Sequence, residues 1–270
     1  MKPHKLIVLC GVLMLMASTN ACNKLKARDN LNKGVRAFSN SQYQQAVEHF
    51  KIAVQLDPQL LNARLYLATA YQQQYIPGGE SPENKKLGEE AIATFGDVLK
   101  QDVNNVDAIS RIARLYFDMK NFEKAKEYQQ RRIQLVPNDP EPYYWVGVIN
   151  WAIAYPRAQE VRRDLNIMMP KDPTKPGILP PIPDKERAAL EEQNKPLVTE
   201  GIQALEKAVE LKPNDDAAMA YINLLYRQMA EFEPAGAERD AHLAKADEWV
   251  ERALNAKKTV GTEPAPPPGQ

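Results

Sequence analysis

Three histidines, two cysteines and a few acidic pairs are the side chains of this 270-residue sequence best equipped for chemistry. Their spacing argues against it. His4, His49 and His242 are scattered, and neither Cys10 nor Cys22 stands at metal-ligand spacing from a histidine or from the other cysteine. His49, next to Phe50, reads as a solvent-facing side chain. Glu89-Glu90 and Asp215-Asp216 have the residue type for acid–base work. Charged pairs are far commoner on helix surfaces, however, and Asp215-Asp216 opens a helix, where negative charge favours the macrodipole. Gly78-Gly79 lacks the lysine and the strand that a phosphate-cradling loop needs. These residues predict no catalytic, metal or cofactor site and a chain that is not an enzyme.

The elements that must position everything else begin after the N-terminus. Lys2, His4 and Lys5 form a short positive stretch, and Leu6 to Ala17 is a twelve-residue apolar run. A membrane-spanning helix needs about 20 apolar residues, so the run suits a secretory signal instead. Ser18-Thr19-Asn20-Ala21 follow as a small and polar region before Cys22. Residues 1–21 are therefore expected to be a cleaved signal peptide, and the mature chain to be exported to the periplasmic or extracytoplasmic side of a membrane. The segment resembles a bacterial lipoprotein signal in Ala21 and Cys22, and departs from it at Thr19, where that family prefers Leu, and at Asn20. The resemblance implies a lipid on Cys22 that tethers the protein to the membrane. Ordinary cleavage after Ala21, leaving a free thiol, is the alternative. A lone thiol in an oxidising compartment calls for a reason, which acylation supplies.

Loss of Lys2 and Lys5 lowers Lys+Arg from 35 to 33 against 35 Asp+Glu. That balance offers no electrostatic footprint for nucleic acid.

Residues 30–58 read NLNKGVRAFSNSQYQQAVEHFKIAVQLDP. Ala46, Phe50 and Ala53 recur at i, i+4, i+7 and share one helix face. With Gly34, Tyr43 and the closing Pro58, the stretch resembles a tetratricopeptide repeat, in which helix A carries a small residue where helix B packs closely. Residues 106–137 repeat the pattern through Ala113, Tyr116, Phe122, Ala125 and Pro137. Gln129 and Arg132 stand where Phe and Ala are expected, which implies a more exposed or rotated helix. Three further units are interrupted. Residues 61–103 match at Ala68, Tyr71, Ala91, Phe95 and Val98 around QQQYIPGGESPENKK, where Ser81-Pro82-Glu83 is a helix-start signal. Residues 140–213 match at Tyr143, Gly147, Gly201, Leu205 and Ala208 around a Pro-rich insertion at 155–195. Residues 216–257 match at Tyr226, Ala246 and Ala253.

The resemblance implies an all-α, right-handed superhelical solenoid of about five helix-turn-helix units over residues 22–257, with insertions in units two, four and five. Within the insertion, RAQEVRRDLN predicts a short helix, six prolines follow between Pro170 and Pro183, and helix resumes over Asp184 to Gln193. Ile178 to Pro183 reads as a rigid strap or, alternatively, a polyproline ligand. Residues 258–270, KTVGTEPAPPPGQ, have too few apolar side chains to offset ordering entropy.

Arrays of this family hold peptide or protein partners on the concave helix A surface. Carrying that register over places Phe38, Gln72, Phe117, Trp151 and Arg227 at one groove position, with Arg114 and Tyr144 beside it. Aromatic and arginine side chains are the usual anchors of interfaces. Burial of Phe117, Tyr144 and Trp151 as ordinary core is the competing expectation. The carboxylate-clamp pattern of the family is not matched, because Val35, Thr69, Val148 and Leu224 occupy positions that need polar residues. The implied function is a scaffold for protein or peptide partners in the bacterial cell envelope. Two other readings stay open: a small-molecule binder or enzyme accessory with 155–195 as a lid over Trp151 and Arg162, and a self-associating spacer.

Overall fold

Helix-start signals in the sequence are used in the structure as hydrogen-bonding caps. Ser81 accepts from the Asn84 backbone N–H at 3.1 Å, with Pro82 in the first helical position. Asn105, Asp139 and Asp215 cap their helices in the same way, accepting from Ala108, Glu141 and Ala218. The computed structural model describes residues 3–167 and 180–260, with side chains described for 21–167 and 180–258. The described residues form ten helices and no strand: α1 (Pro3–Ser39), α2 (Tyr43–Leu56), α3 (Leu61–Gln74), α4 (Pro82–Gln101), α5 (Val106–Asp118), α6 (Phe122–Leu135), α7 (Pro140–Asp164), α8 (Asp184–Leu211), α9 (Asp216–Glu231) and α10 (Ala237–Val260). No helix among the described residues is long and apolar enough to cross a membrane.

The chain divides into two compact units, Met1–Tyr128 and Gln129–Gln270. In the first, α1 packs on α2, α2 on α3, α3 on α4 and α4 on α5. Ala46, Phe50 and Ala53 of α2, and Ala91, Phe95 and Val98 of α4, are fully enclosed. Gly34 permits the α1–α2 approach, since a Cβ there would overlap the Phe50 ring. Asn84, itself buried, ties down the loop before α4 by donating to the carbonyls of Ile76 (2.8 Å) and Gly79 (2.9 Å) and accepting from the Ile76 N–H.

In the second unit, α7 packs on α8, α8 on α9 and α9 on α10, with α7 also touching α9. Gly147 of α7 faces Leu205 of α8 with no room for a Cβ. The core gathers Ala154, Leu190, Val198, Leu205, Ile222, Leu225 and Trp249. All three tryptophans, Trp145, Trp151 and Trp249, belong to this unit.

Several expectations change. Gln129 and Arg132 do not mark an exposed helix: both are buried, and Arg132 donates to Asp139 and Glu141, each at 2.6 Å. The missing Phe and Ala are thus replaced by a polar core contact. His49 is half-buried, with its Nδ1 enclosed and, among the described residues, without a partner.

The stretches flanking the fourth unit's insertion are not separate short helices. Helix α7 runs unbroken through Pro156 to Asp164, and α8 runs from Asp184 through Pro196. Asn194, fully enclosed, joins the two proline-bearing stretches by donating to the Ala154 carbonyl at 2.9 Å and accepting from Arg157 at 3.3 Å. Of the stretch from Ile178 to Pro183, residues 180–183 are described: Ile182 is buried and the Pro180 carbonyl accepts from Arg162. Residues 168–179, and with them the middle of the expected lid, lie outside the described residues. Helix α10 reaches Val260, into the stretch expected to lack order, and residues 261–270 also lie outside. Helix α1 is continuous across the expected processing point between Ala21 and Cys22, and the Cys22 thiol is exposed.

Candidate partner-binding surface

The seven groove residues fall four in the first unit and three in the second. In the first unit, Phe38 is half-buried and meets Tyr43 edge-on at 5.3 Å. The Gln72 side-chain carbonyl accepts from Arg111 at 3.1 Å, linking α3 to α5. Arg114 is exposed and grips Asp118 one turn later at 2.9 Å. Phe117 is half-buried against Phe122, 5.6 Å between ring centres. Burial pushes the Asp118 carboxyl above the usual carboxylate range, against the opposing pull of Arg114. Asp118 also borders a hollow of about 320 Å³ with Tyr75, Gly79, Lys85, Glu89 and Lys120.

The second unit concentrates its aromatic side chains. Trp151 stacks on Tyr155 with ring centres 5.0 Å apart and meets Tyr221 edge-on at 5.5 Å. Tyr221 in turn meets Tyr144 at 5.8 Å. Successive turns of α7 and one face of α9 thus form an aromatic ridge that stays partly open, with Tyr155 40% exposed. Tyr144 and Trp151 pack against the core from its edge and are not enclosed within it. Arg227 is exposed and donates to Asp247 at 2.7 Å and Asn223 at 2.9 Å.

Beside this ridge lies a cleft of about 520 Å³ between α7 and α9. Its walls are Trp151, Tyr155, Leu224 and Arg227, and its floor is Arg162, Gln228 and Glu231. The three floor residues are each less than 9% exposed. Arg162 donates to Glu231 at 3.0 Å and to the Pro180 carbonyl at 3.0 Å. Arg239, also buried, feels both: its guanidinium is pushed down by burial first and by the charge of Arg162, with Glu231 opposing.

Among the described residues, Arg162 Nη2, Trp151 Nε1 and both amide atoms of Gln228 are enclosed without a hydrogen-bond partner. Leaving such a group unmatched costs about 1–3 kcal/mol each. Four such atoms belong to residues that line this one cleft.

Tyr155, Tyr221, Gln228 and Glu231 are the members that sequence reasoning did not single out. The signal for Gln228 is its register. It continues the buried stripe Ala218, Ile222, Leu225 on α9, where an apolar side chain would be ordinary. No group of histidine, cysteine or acidic side chains among the described residues is arranged to hold a metal.

A tetratricopeptide repeat profile matches residues 88–145. No curated protein matches the sequence. Among solved structures, the crystal structure of MamA protein is similar at 16% identity and a TM-score of 0.59, covering 90% of this chain and 98% of that one. MamA residues 41 to the end from Desulfovibrio magneticus RS-1 align at 14% identity and a TM-score of 0.56, over 87% and 96% of the two chains. YrrB, described as a TPR protein with an unusual peptide-binding site, aligns at 17% identity and a TM-score of 0.51, over 85% and 90%. At these identities the likeness speaks for the fold: an all-α helical-repeat architecture of the tetratricopeptide type.

Proposed function

From the premise that this is a tetratricopeptide repeat protein, we propose that it is a binding scaffold that holds protein or peptide partners on its helix A surfaces. The observation that carries the reading is the aromatic ridge of Tyr144, Trp151, Tyr155 and Tyr221, left partly open on α7 and α9 with Arg227 beside it. Open aromatic side chains held in place by one another present area at little entropic cost, and arginine adds a charged donor. YrrB, of similar fold, is described as having a peptide-binding site. In this reading the chain carries out no reaction of its own.

The same proposal places the protein outside the cytoplasm of a bacterium, tethered by a lipid on Cys22. Its support is the positive start, the twelve-residue apolar run, the Ala21-Cys22 pair and an exposed thiol. Mass spectrometry of the purified protein tests it: an acylated N-terminal Cys22 agrees, and an unprocessed Met1 or a free Cys22 thiol contradicts.

Cross-linking in native cells, followed by mass spectrometry, tests the scaffold. Partners recovered with the native chain and lost with a Phe117→Ala, Tyr155→Ala double variant identify the working surface. Partners that persist in the variant count against it.

A further inference from the structure

The aromatic ridge explains adhesion but leaves the floor of the neighbouring cleft unexplained. Gln228 is 96% enclosed, lines the cleft, and offers an amide N–H₂ and carbonyl that nothing among the described residues satisfies. Arg162 brings one more unmatched donor, Nη2, and Trp151 another, Nε1. The unmet groups are therefore mostly donors, and one of them is charged. The lining carries three arginines, Arg162, Arg163 and Arg227, and one carboxylate, Glu231. Arg162 pairs with Glu231 inside the cleft, while Arg163 and Arg227 pair with Glu160, Asp164 and Asp247 outside it, which leaves Arg162 Nη2 as the unmatched charged donor. A buried amide at a stripe position that would accept leucine is a cost to the free protein, and it is recovered when a ligand supplies the partners.

We propose that this cleft is an anchor pocket for a carboxylate side chain on an extended segment of the partner. The proposal rests on the scaffold reading and gives it a specificity element. The four polar atoms are covered in the free protein, and on binding the side chains turn toward the cleft. The carboxylate then takes the donors of Arg162, Trp151 and Gln228, and the Gln228 carbonyl accepts a backbone N–H of the same segment. The aliphatic stem of the incoming side chain lies against Leu224 and the Trp151–Tyr155 stack. Trp151 and Tyr155 belong to both the ridge and the cleft wall, so a chain laid along the ridge passes the cleft mouth. The volume, about 520 Å³, falls within the roughly 300–1,000 Å³ usual for ligand sites and leaves room for more than one side chain.

The test titrates the ¹⁵N-labelled protein with blocked tripeptides, acetyl-Ala-Xaa-Ala-amide, in which Xaa is glutamate, glutamine or leucine, and separately with free glutarate. The Trp151 indole N–H, assigned by its loss in Trp151→Phe, and the Gln228 side-chain amide are followed. The glutamate peptide shifts both saturably. The glutamine peptide binds about fivefold to tenfold more weakly, having lost the charge-assisted bond, and the leucine peptide shifts neither. In Gln228→Leu the glutamate peptide loses at least about tenfold in affinity, while the thermal midpoint stays or rises because an unmatched amide has gone.

Equal shifts from all three peptides, or from none, overturn the assignment. So does unchanged binding in Gln228→Leu, or a lowered midpoint, which identifies a structural amide satisfied by buried water. Glutarate binding as tightly as the glutamate peptide also overturns it, in favour of a small dicarboxylate. Gln228→Leu leaves both Phe117 and Tyr155 in place, and the partner-recovery experiment leaves Gln228 in place, so the pocket can fail while the scaffold stands.

Discussion

Arg162 and Glu231, 69 residues apart in sequence, meet at 3.0 Å with both side chains almost out of water. A buried pair of this kind is costly to break by one partner only, because the other charge stays behind desolvated. Arg162→Met is expected to lower unfolding free energy by about 3–5 kcal/mol, and Glu231→Leu by a similar amount. The double variant Arg162→Met, Glu231→Leu should lose much less than the sum. Chemical denaturation of the four proteins measures the coupling, and simple additivity would contradict the pairing.

Gly34 of α1 leaves room for the Phe50 ring of α2, and Gly147 of α7 for the Leu205 side chain of α8. Gly34→Ala must push the Phe50 ring, and Gly147→Ala the Leu205 side chain, out of enclosed positions. Each is expected to destabilise by about 1–3 kcal/mol despite the better helix propensity of alanine. Gly96 of α4, with open space where its Cβ would go, is the control: Gly96→Ala should stabilise by about 1 kcal/mol.

Pro156 sits inside α7 with its ring exposed, and Asn194 braces the neighbouring Ala154 carbonyl. Asn194→Ala leaves that carbonyl and Arg157 without this partner and should cost about 1–3 kcal/mol. Pro156→Ala restores a backbone donor and should raise stability, by up to about 3 kcal/mol. A fall in thermal midpoint for Pro156→Ala would show that the ring itself is needed.

Asp118 has its folded carboxyl raised, chiefly by burial. The native state therefore holds the proton more tightly than the unfolded chain. The resulting stability is complete below the unfolded pKa, near the ordinary carboxylate value, and is lost as pH rises through the folded one. Asp118→Asn should be more stable than the native protein at neutral pH, with the advantage shrinking on acidification through that window. Unfolding curves at several pH values check this, and a constant difference would contradict it.

The stacking helices were legible where a single side chain decides packing. Ala46, Phe50 and Ala53 announce the α2 face, and Ala91, Phe95 and Val98 the α4 face, because burial there depends only on helical spacing. Ser81 and Asp215 announce helix starts because capping is local. Arg132 was misread because the carboxylates that make its burial tolerable, Asp139 and Glu141, come from beyond the next turn of chain. The separate short helices expected beside the insertion are the ends of α7 and α8, which run through Pro156 and Pro196, and the α7–α8 contact made by Asn194 is not encoded locally. The aromatic part of the candidate surface, Tyr144 and Trp151, followed from repeat register. Glu231 did not, since its meaning lies in the contact with Arg162 of α7, and register gives the burial of Gln228 but not the cleft it lines.

The placement of every tryptophan in the second unit has an optical consequence. Trp151 is stacked on Tyr155, and Trp249 lies beneath the Arg252 guanidinium, 3.7 Å from ring centre to charge. Indole emission excited at the red edge therefore comes from residues 129–270 alone, while residues 1–128 contribute only phenol and phenylalanine chromophores. Circular dichroism, by contrast, samples the helices of both. If the units melt separately, the emission transition and the dichroic transition fall at different temperatures, and the gap between them ranks the two halves without any label.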